Sequence, residues 1–239
     1  FEELAIETLG SAVSRLKREV PVPGEGALLR EVAGLEDDVR SFVRMIRQRG
    51  APWQALEMRF GIGDDEPIPL EVTGGTVRLR GAIDRVDDRG IEGMRVVDYK
   101  TGRAWGFDKG TGVFNGGRRL QHAVYAHAAE ARLGGMAAAG EYHYPTRRGE
   151  NQAFVFDRLG LAAIGELLGH MFDSVAEGSF VPTDQENDCK FCDFADVCRA
   201  RNKDYGKVSS PLALWSEEHL NTGVQPAFAP LKRVRTFED

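Results

Sequence analysis

The stretch that decides the fold is Gly81-Ala82-Ile83-Asp84-Arg85-Val86-Asp87, followed fourteen residues after Asp84 by Asp98-Tyr99-Lys100-Thr101-Gly102. Strand side chains alternate faces, so Val96, Asp98 and Lys100 point one way and Val97 and Tyr99 the other. Asp98 and Lys100 then share a face, roughly 7 Å apart along the backbone by the strand rise. If the two strands pair across the loop Asp87-Asp88-Arg89-Gly90, Asp84 and Asp98 converge at one end of a sheet. Two convergent carboxylates with water form a hard-oxygen site suited to Mg²⁺ or Mn²⁺. A lysine beside them can activate a water and neutralise charge developing on a pentavalent phosphate. Asp-x-Lys alone is an ordinary solvated alternation; Gly-x-Ile-Asp-Arg upstream at this spacing turns it into a candidate site. Asp87 and Asp88 read as turn residues.

Outward from this pair the chain alternates helical and strand periods. Glu2 to Val20 has helical spacing and ends at Pro21-Val22-Pro23-Gly24. Leu35, Val39, Phe42 and Ile46 form one apolar helical stripe that stops at Gly50. Trp53 to Phe60, Val77 to Ile83 and Met94 to Tyr99 read as strands joined by Gly/Asp turns, hence an antiparallel meander. A Gly-rich loop from Gly102 to Gly117 leads into a helix from about Arg118 to Arg132, with Leu120, Val124 and His127 on one face. Glu141 to Thr146 and Gln152 to Phe156 read as strands. Leu159 to Glu177 reads as a helix burying Leu161, Ile164, Leu168, Met171 and Val175. The expected class is α/β, a mixed sheet flanked by helices. The expected division is a core over 1–178, a cysteine segment over 179–207 and a Pro-punctuated tail or linker over 208–239.

Composition narrows the field. The 239 residues carry a net charge of −6, and the ordinary apolar share excludes a disordered or collagen-like chain. No uninterrupted apolar run approaches the ~18 residues of a membrane helix. The expectation is a soluble intracellular domain with no membrane partner. Net acidity taken alone argues against a nucleic-acid binder. Yet the cations divide as 24 Arg and 7 Lys, and arginine is the better bidentate ligand for phosphate.

Gly81 to Asp87, Val97 to Gly102 and Leu120-Gln121-His122-Ala123-Val124-Tyr125 together resemble the PD-(D/E)xK nuclease domain of the RecB/AddB type, over about residues 35 to 203. The resemblance implies a restriction-endonuclease-like fold and an Mg²⁺-dependent deoxyribonuclease, exonucleolytic, that leaves a 5′-phosphate. Asp84, Asp98 and the backbone carbonyl of Tyr99 would bind metal, and Lys100 would be catalytic. Gln121 and Tyr125 match its Gln-x-x-x-Tyr motif, whose i, i+4 spacing puts both on one helix face. Glu57 sits where such domains carry a further acidic residue. The implied partners are DNA, single-stranded or unwound at duplex ends, and a helicase domain or subunit. The implied setting is double-strand break repair in the bacterial cytoplasm, at the nucleoid. Such domains usually carry a metal-ligating histidine ahead of the first strand; none of the five histidines here precedes Glu57. That difference points to a chain cut from a longer helicase-nuclease. The alternatives are a non-catalytic DNA-binding scaffold on the same fold, and a stand-alone nuclease of the CRISPR-adaptation type.

Cys189, Cys192 and Cys198 form a Cys-x2-Cys-x5-Cys run, which in an intracellular protein indicates a metal. Zinc would need a fourth ligand such as His170, and a vestigial or empty site is a further alternative. The same resemblance implies a [4Fe–4S] cluster on these three cysteines, with a fourth ligand from outside this chain. Arg199, Arg201 and Lys203 follow as a local basic patch suited to DNA.

Overall fold

A computed structural model of the chain describes residues 1–22, 24–107, 112–194 and 211–237. Two compact units emerge. The first takes residues 1–69, 78–113 and 120–162; the second takes 70–77, 114–119 and 163–239.

The first unit opens with α1 (Glu2–Glu19) and α2 (Glu25–Arg49), the latter ended by Gly50 in the left-handed conformation at φ 63°. Its sheet contains β1 (Trp53–Phe60), β4 (Gly81–Asp88), β5 (Met94–Tyr99), β6 (Ala137–Tyr144) and β7 (Gln152–Asp157), in the order β1-β4-β5-β6-β7. The β1/β4 and β4/β5 pairs are antiparallel, as the meander predicts; β5/β6 is parallel and β6/β7 antiparallel. The parallel step is bridged by α3 (Gln121–Leu133), and α4 (Arg158–Ala162) follows β7. Ile83, Val86, Val96 and Val97 are almost wholly buried at the sheet centre. This is the α/β architecture the sequence implies, a five-stranded mixed sheet flanked by helices.

Several boundaries differ from the sequence reading, each for a physical reason. A small hairpin, β2 (Ile68–Val72) with β3 (Gly75–Leu79), precedes β4, and the run read as Val77 to Ile83 breaks before Gly81. A Cβ at Gly81 would lie 3.0 Å from the Phe60 ring, so this strand start suits glycine. β6 begins at Ala137, four residues early, because weak strand formers are carried by pairing with β5. The inner face of α3 is His122, Ala123, Ala126, Ala128 and Ala129, whose four alanines allow a close approach to the sheet, while Leu120, Val124 and His127 are half-buried. Gly140 of β6 accepts that approach; a Cβ there would come within 2.9 Å of the His122 carbonyl. On α2 the buried residues are Val43 and Met45, and the predicted stripe opens at Leu35, Val39 and Phe42 onto a cleft.

Asp87 is the largest correction. It is not a turn residue but a strand residue, fully buried. Its Oδ2 accepts from Arg49 Nε at 2.6 Å, and its Oδ1 is bound by Arg85. The Arg49 guanidinium also donates to both Glu141 oxygens, at 2.7 and 2.8 Å, and His143 Nδ1 lies 3.1 Å from Glu141 Oε1. One guanidinium in the last turn of α2 thus ties the helix to β4 and β6.

The second unit includes α5 (Ile164–Ala176), α6 (Pro211–Thr222) and α7 (Ala229–Arg235). The expected tail over 208–239 therefore carries two helices, with Phe228 and Val234 buried. Proline misleads here: Pro211 opens α6 and Pro230 lies in the first turn of α7, where the missing N–H costs no helical bond. Asp184 binds Arg118 and Arg235, both at 3.0 Å; burial alone would raise its carboxyl, but the two guanidiniums hold it below the usual range. Residues 158–176 are long and apolar enough by composition to cross a membrane, but they form two helices broken at Ala163 that bury Leu161, Ile164, Leu167 and Leu168.

Burial raises the Glu141 carboxyl, but His143 and Arg49 more than offset this and bring it to about 2, from 4.5. A depressed folded value means stability present above pH 4.5 and lost as pH falls towards 2. Glu141→Gln should lose about 3 kcal/mol at neutral pH, because it leaves Arg49 half-paired, and should flatten this acid limb. Urea unfolding across that pH range measures both.

Candidate active site

The β4/β5 register, with Arg85 opposite Val97 and Val86 opposite Val96, sets Asp84 and Asp98 on the sheet face covered by α3. Asp84 Oδ2 accepts a hydrogen bond from the Tyr99 N–H at 2.7 Å, so the end of β5 fixes the orientation of that carboxylate. Asp98 is 5 % exposed. Lys100 Nζ lies 2.6 Å from Asp98 Oδ2 as an ion pair, and that buried oxygen makes no directed hydrogen bond among the described residues. The same ammonium donates to Gln121 Oε1 at 2.7 Å and stands 5.8 Å from the Tyr142 ring. Gln121 Nε2 in turn donates to Tyr125 OH at 3.2 Å. Phe60 steadies the Tyr125 ring edge-on at 6.3 Å.

Five of the sequence-predicted residues, Asp84, Asp98, Lys100, Gln121 and Tyr125, therefore meet, and the Tyr99 carbonyl lies in the backbone between Asp98 and Lys100. Glu57 does not join them. It is exposed, and it holds a left-handed φ of 46°, uncommon outside glycine. Among the described residues no group of three or more His, Cys, Asp or Glu side chains gathers to hold a metal ion. Cys189 and Cys192 are free and half-buried, at and just after a short 3-10 turn over Glu186–Phe191. Cys198, Arg199, Arg201 and Lys203 lie outside the described residues.

Two residues beneath the site escaped the sequence reading. The Tyr142 hydroxyl accepts from the His122 N–H at 3.3 Å, pinning the start of α3 and with it Gln121. The signal was the period of two that places Gly140, Tyr142 and Tyr144 on one face of β6.

Electrostatics bind the group together. Burial raises the Asp98 carboxyl; Lys100 partly counters this and Asp84 adds to it. Burial also raises the Tyr125 phenol, with Asp98 and Asp84 contributing in the same direction, so the phenol keeps its proton. Mg²⁺ needs only one or two protein carboxylates, the rest of its shell being water and phosphate oxygen. Two hard-oxygen carboxylates that repel one another, one of them buried, fit such a cation.

The sequence profile of the PD-(D/E)XK nuclease superfamily matches residues 2–199 of this chain. Comparison with curated proteins yields no match.

Without a bound cation, Asp98 should titrate above 3.8, the ordinary aspartate value. Lys100→Met should raise it further, and Asp84→Asn should lower it. Carboxyl-detected NMR titration checks both signs, and identical curves in all three proteins would mean that the residues do not touch.

Proposed function

The chain belongs to the PD-(D/E)XK nuclease superfamily, and from that premise we propose that it is a divalent-metal-dependent deoxyribonuclease domain, exonucleolytic, from a RecB/AddB-like helicase-nuclease that acts in double-strand break repair at the nucleoid. The carrying observation is the run Asp98–Lys100–Gln121–Tyr125 beside Asp84, in which each member is held by the next.

Asp84, Asp98 and the Tyr99 carbonyl would hold Mg²⁺ or Mn²⁺. The cation supplies Lewis-acid polarisation of the phosphoryl oxygen and a template for the attacking water. The protein does the rest. Tyr99 N–H keeps Asp84 turned towards the site. Lys100 carries a proton at Nζ beside Asp98, placing positive charge where the pentavalent phosphate gathers negative charge, and it orients the water by hydrogen bonding. Gln121 spaces Lys100 from Tyr125, whose phenol retains its proton and can donate to a strand phosphate. Asp98→Ala or Lys100→Ala should abolish Mg²⁺-dependent cleavage of DNA while leaving the circular dichroism unchanged. Undiminished cleavage by either variant would sink the assignment.

A scaffold that binds DNA without cutting it is the second reading, since the histidine that such domains usually carry ahead of the first strand has no counterpart among the described residues. Calorimetric titration of Mg²⁺ separates them, since the scaffold predicts no saturable binding that Asp84→Asn removes.

The cysteines form the second part of the proposal. Cys189 and Cys192, half-buried thiols three residues apart, would join Cys198 on a [4Fe–4S] cluster completed by a ligand from outside this chain. Arg199, Arg201 and Lys203 would then meet the DNA backbone. Anaerobic purification should give a protein containing iron and acid-labile sulfide, and Cys192→Ser should lose most of both. Zinc in their place would overturn the cluster.

A further inference from the structure

A cleft of about 1110 Å³ lies within the first unit, against the end of β5 that carries the site. Tyr99 and Thr101 line it, and Lys100 lies between them. Because side chains alternate, Tyr99 faces the cleft where Asp98 and Lys100 face the carboxylate pair. Only the end of one strand separates the two.

Three elements wall the cleft, and they are tied together. The turn between β6 and β7 bonds α2 through Arg147 N–H to Asp38 Oδ1 at 2.8 Å and through the Arg147–Asp37 ion pair at 3.1 Å. The same turn bonds the loop after β5 through Thr146 Oγ1 to the Thr101 carbonyl at 3.1 Å. That loop is anchored two residues beyond Trp105, where Phe107 stacks on Phe154 at 3.8 Å. The walls are held before any ligand arrives.

What the cleft offers is specific. Arg30, Arg103 and Arg148 line it and make no ion pair among the described residues. Asp38 on α2 and Glu150 in the β6/β7 turn also line it and already accept from the Arg147 N–H and from Gln152, and Glu31 on α2 is the third lining carboxylate. Trp105 lines it with its side chain 75 % exposed, on a loop whose next aromatic is packed away. Exposing a tryptophan beside uncommitted guanidiniums is costly for a fold and useful for a base and its phosphates. Base pairs in a duplex hide their faces in the stack, so an indole platform selects unpaired bases. At about 1110 Å³ the cleft stands at the top of the roughly 300–1,000 Å³ range of ligand pockets and has room for more than one nucleotide.

We propose that this cleft receives an unpaired DNA strand next to the cleavage site, with a base stacked on Trp105 and phosphates met by Arg30, Arg103 and Arg148. The assignment rests on the nuclease reading, and it makes the enzyme selective for single-stranded or frayed ends. Duplex entering the carboxylate site must first surrender a few unpaired nucleotides to the cleft.

The test uses the full chain in Ca²⁺, to suppress cutting, with a fluorescein-labelled oligo(dT) and a blunt hairpin duplex followed by anisotropy. Trp105→Ala should weaken oligo(dT) binding about tenfold or more, Trp105→Phe should restore most of it, and the blunt hairpin should barely respond. Arg103→Gln with Arg148→Gln should reduce the slope of log affinity against log salt by about 0.7 per charge removed. Unchanged oligo(dT) affinity in Trp105→Ala, or equal losses for both DNAs, would overturn the cleft. Cleavage by the wild-type chain in Mg²⁺ is scored separately. Cleavage together with Trp105-independent binding removes the cleft and leaves the nuclease. Trp105-dependent binding without cleavage removes the nuclease and leaves the cleft.

Discussion

The Arg49 guanidinium is the constraint on which this structure leans. It sits at the end of α2 and makes three hydrogen bonds to the buried carboxylates of Asp87 and Glu141, and it joins that helix to two strands of the sheet. Its proton is held more tightly than usual, because Glu141 and Asp87 outweigh the burial that would otherwise loosen it. A buried charge set of this kind gives geometric definition more than raw stability, because the desolvation it requires consumes much of the Coulomb gain. Here that definition is spent on register. Asp87 pairs with Arg95 and Val97 with Glu141, so the network and the site sit on opposite faces of the same three strands.

Locking one face frees the other for chemistry. Asp84 and Asp98 can be held close despite their repulsion because the strands beneath them are already fixed from behind. The alanine face of α3 and the bare Gly140 then let the helix come near enough for Gln121 to reach Lys100. A larger residue at either place would move Gln121 and Tyr125 together, since both ride on that helix. The same strand end sends Tyr99 into a cleft walled by α2, so the site and the cleft share one rigid support.

Much of this was legible one residue at a time. The strand Met94–Tyr99 and the strand Trp53–Phe60 were readable to the residue, because apolar alternation between turn signals has few other solutions. Asp84, Asp98 and Lys100 were readable from two strand periods, whereas Gln121 and Tyr125 were marked only by the Gln-x-x-x-Tyr resemblance, and it took the fold to bring the five together. The misreadings share a cause. Asp87 reads as a turn residue until Arg49 and Arg85 arrive to neutralise it. Ala137 to Gly140 reads as loop until β5 pairs with it. Alanines carry too little hydrophobic signal to mark the inner face of α3. Prolines that open α6 and α7 look like breakers until a helix follows them.

The sequence by itself determined the α/β class, the strand that carries the acid and the lysine, and the chemistry those side chains can perform, because these depend on local period and residue type. Only the tertiary structure separated the buried Asp87, locked by Arg49 and Arg85 on one face of the sheet, from Asp98, which meets Lys100 on the other. It also decided that Glu57 stays outside the group and that Trp105 stands over a cleft. Those outcomes are set by contacts between segments 92 and 109 residues apart, Arg49 with Glu141 and Arg147 with Asp38, and no local pattern encodes them.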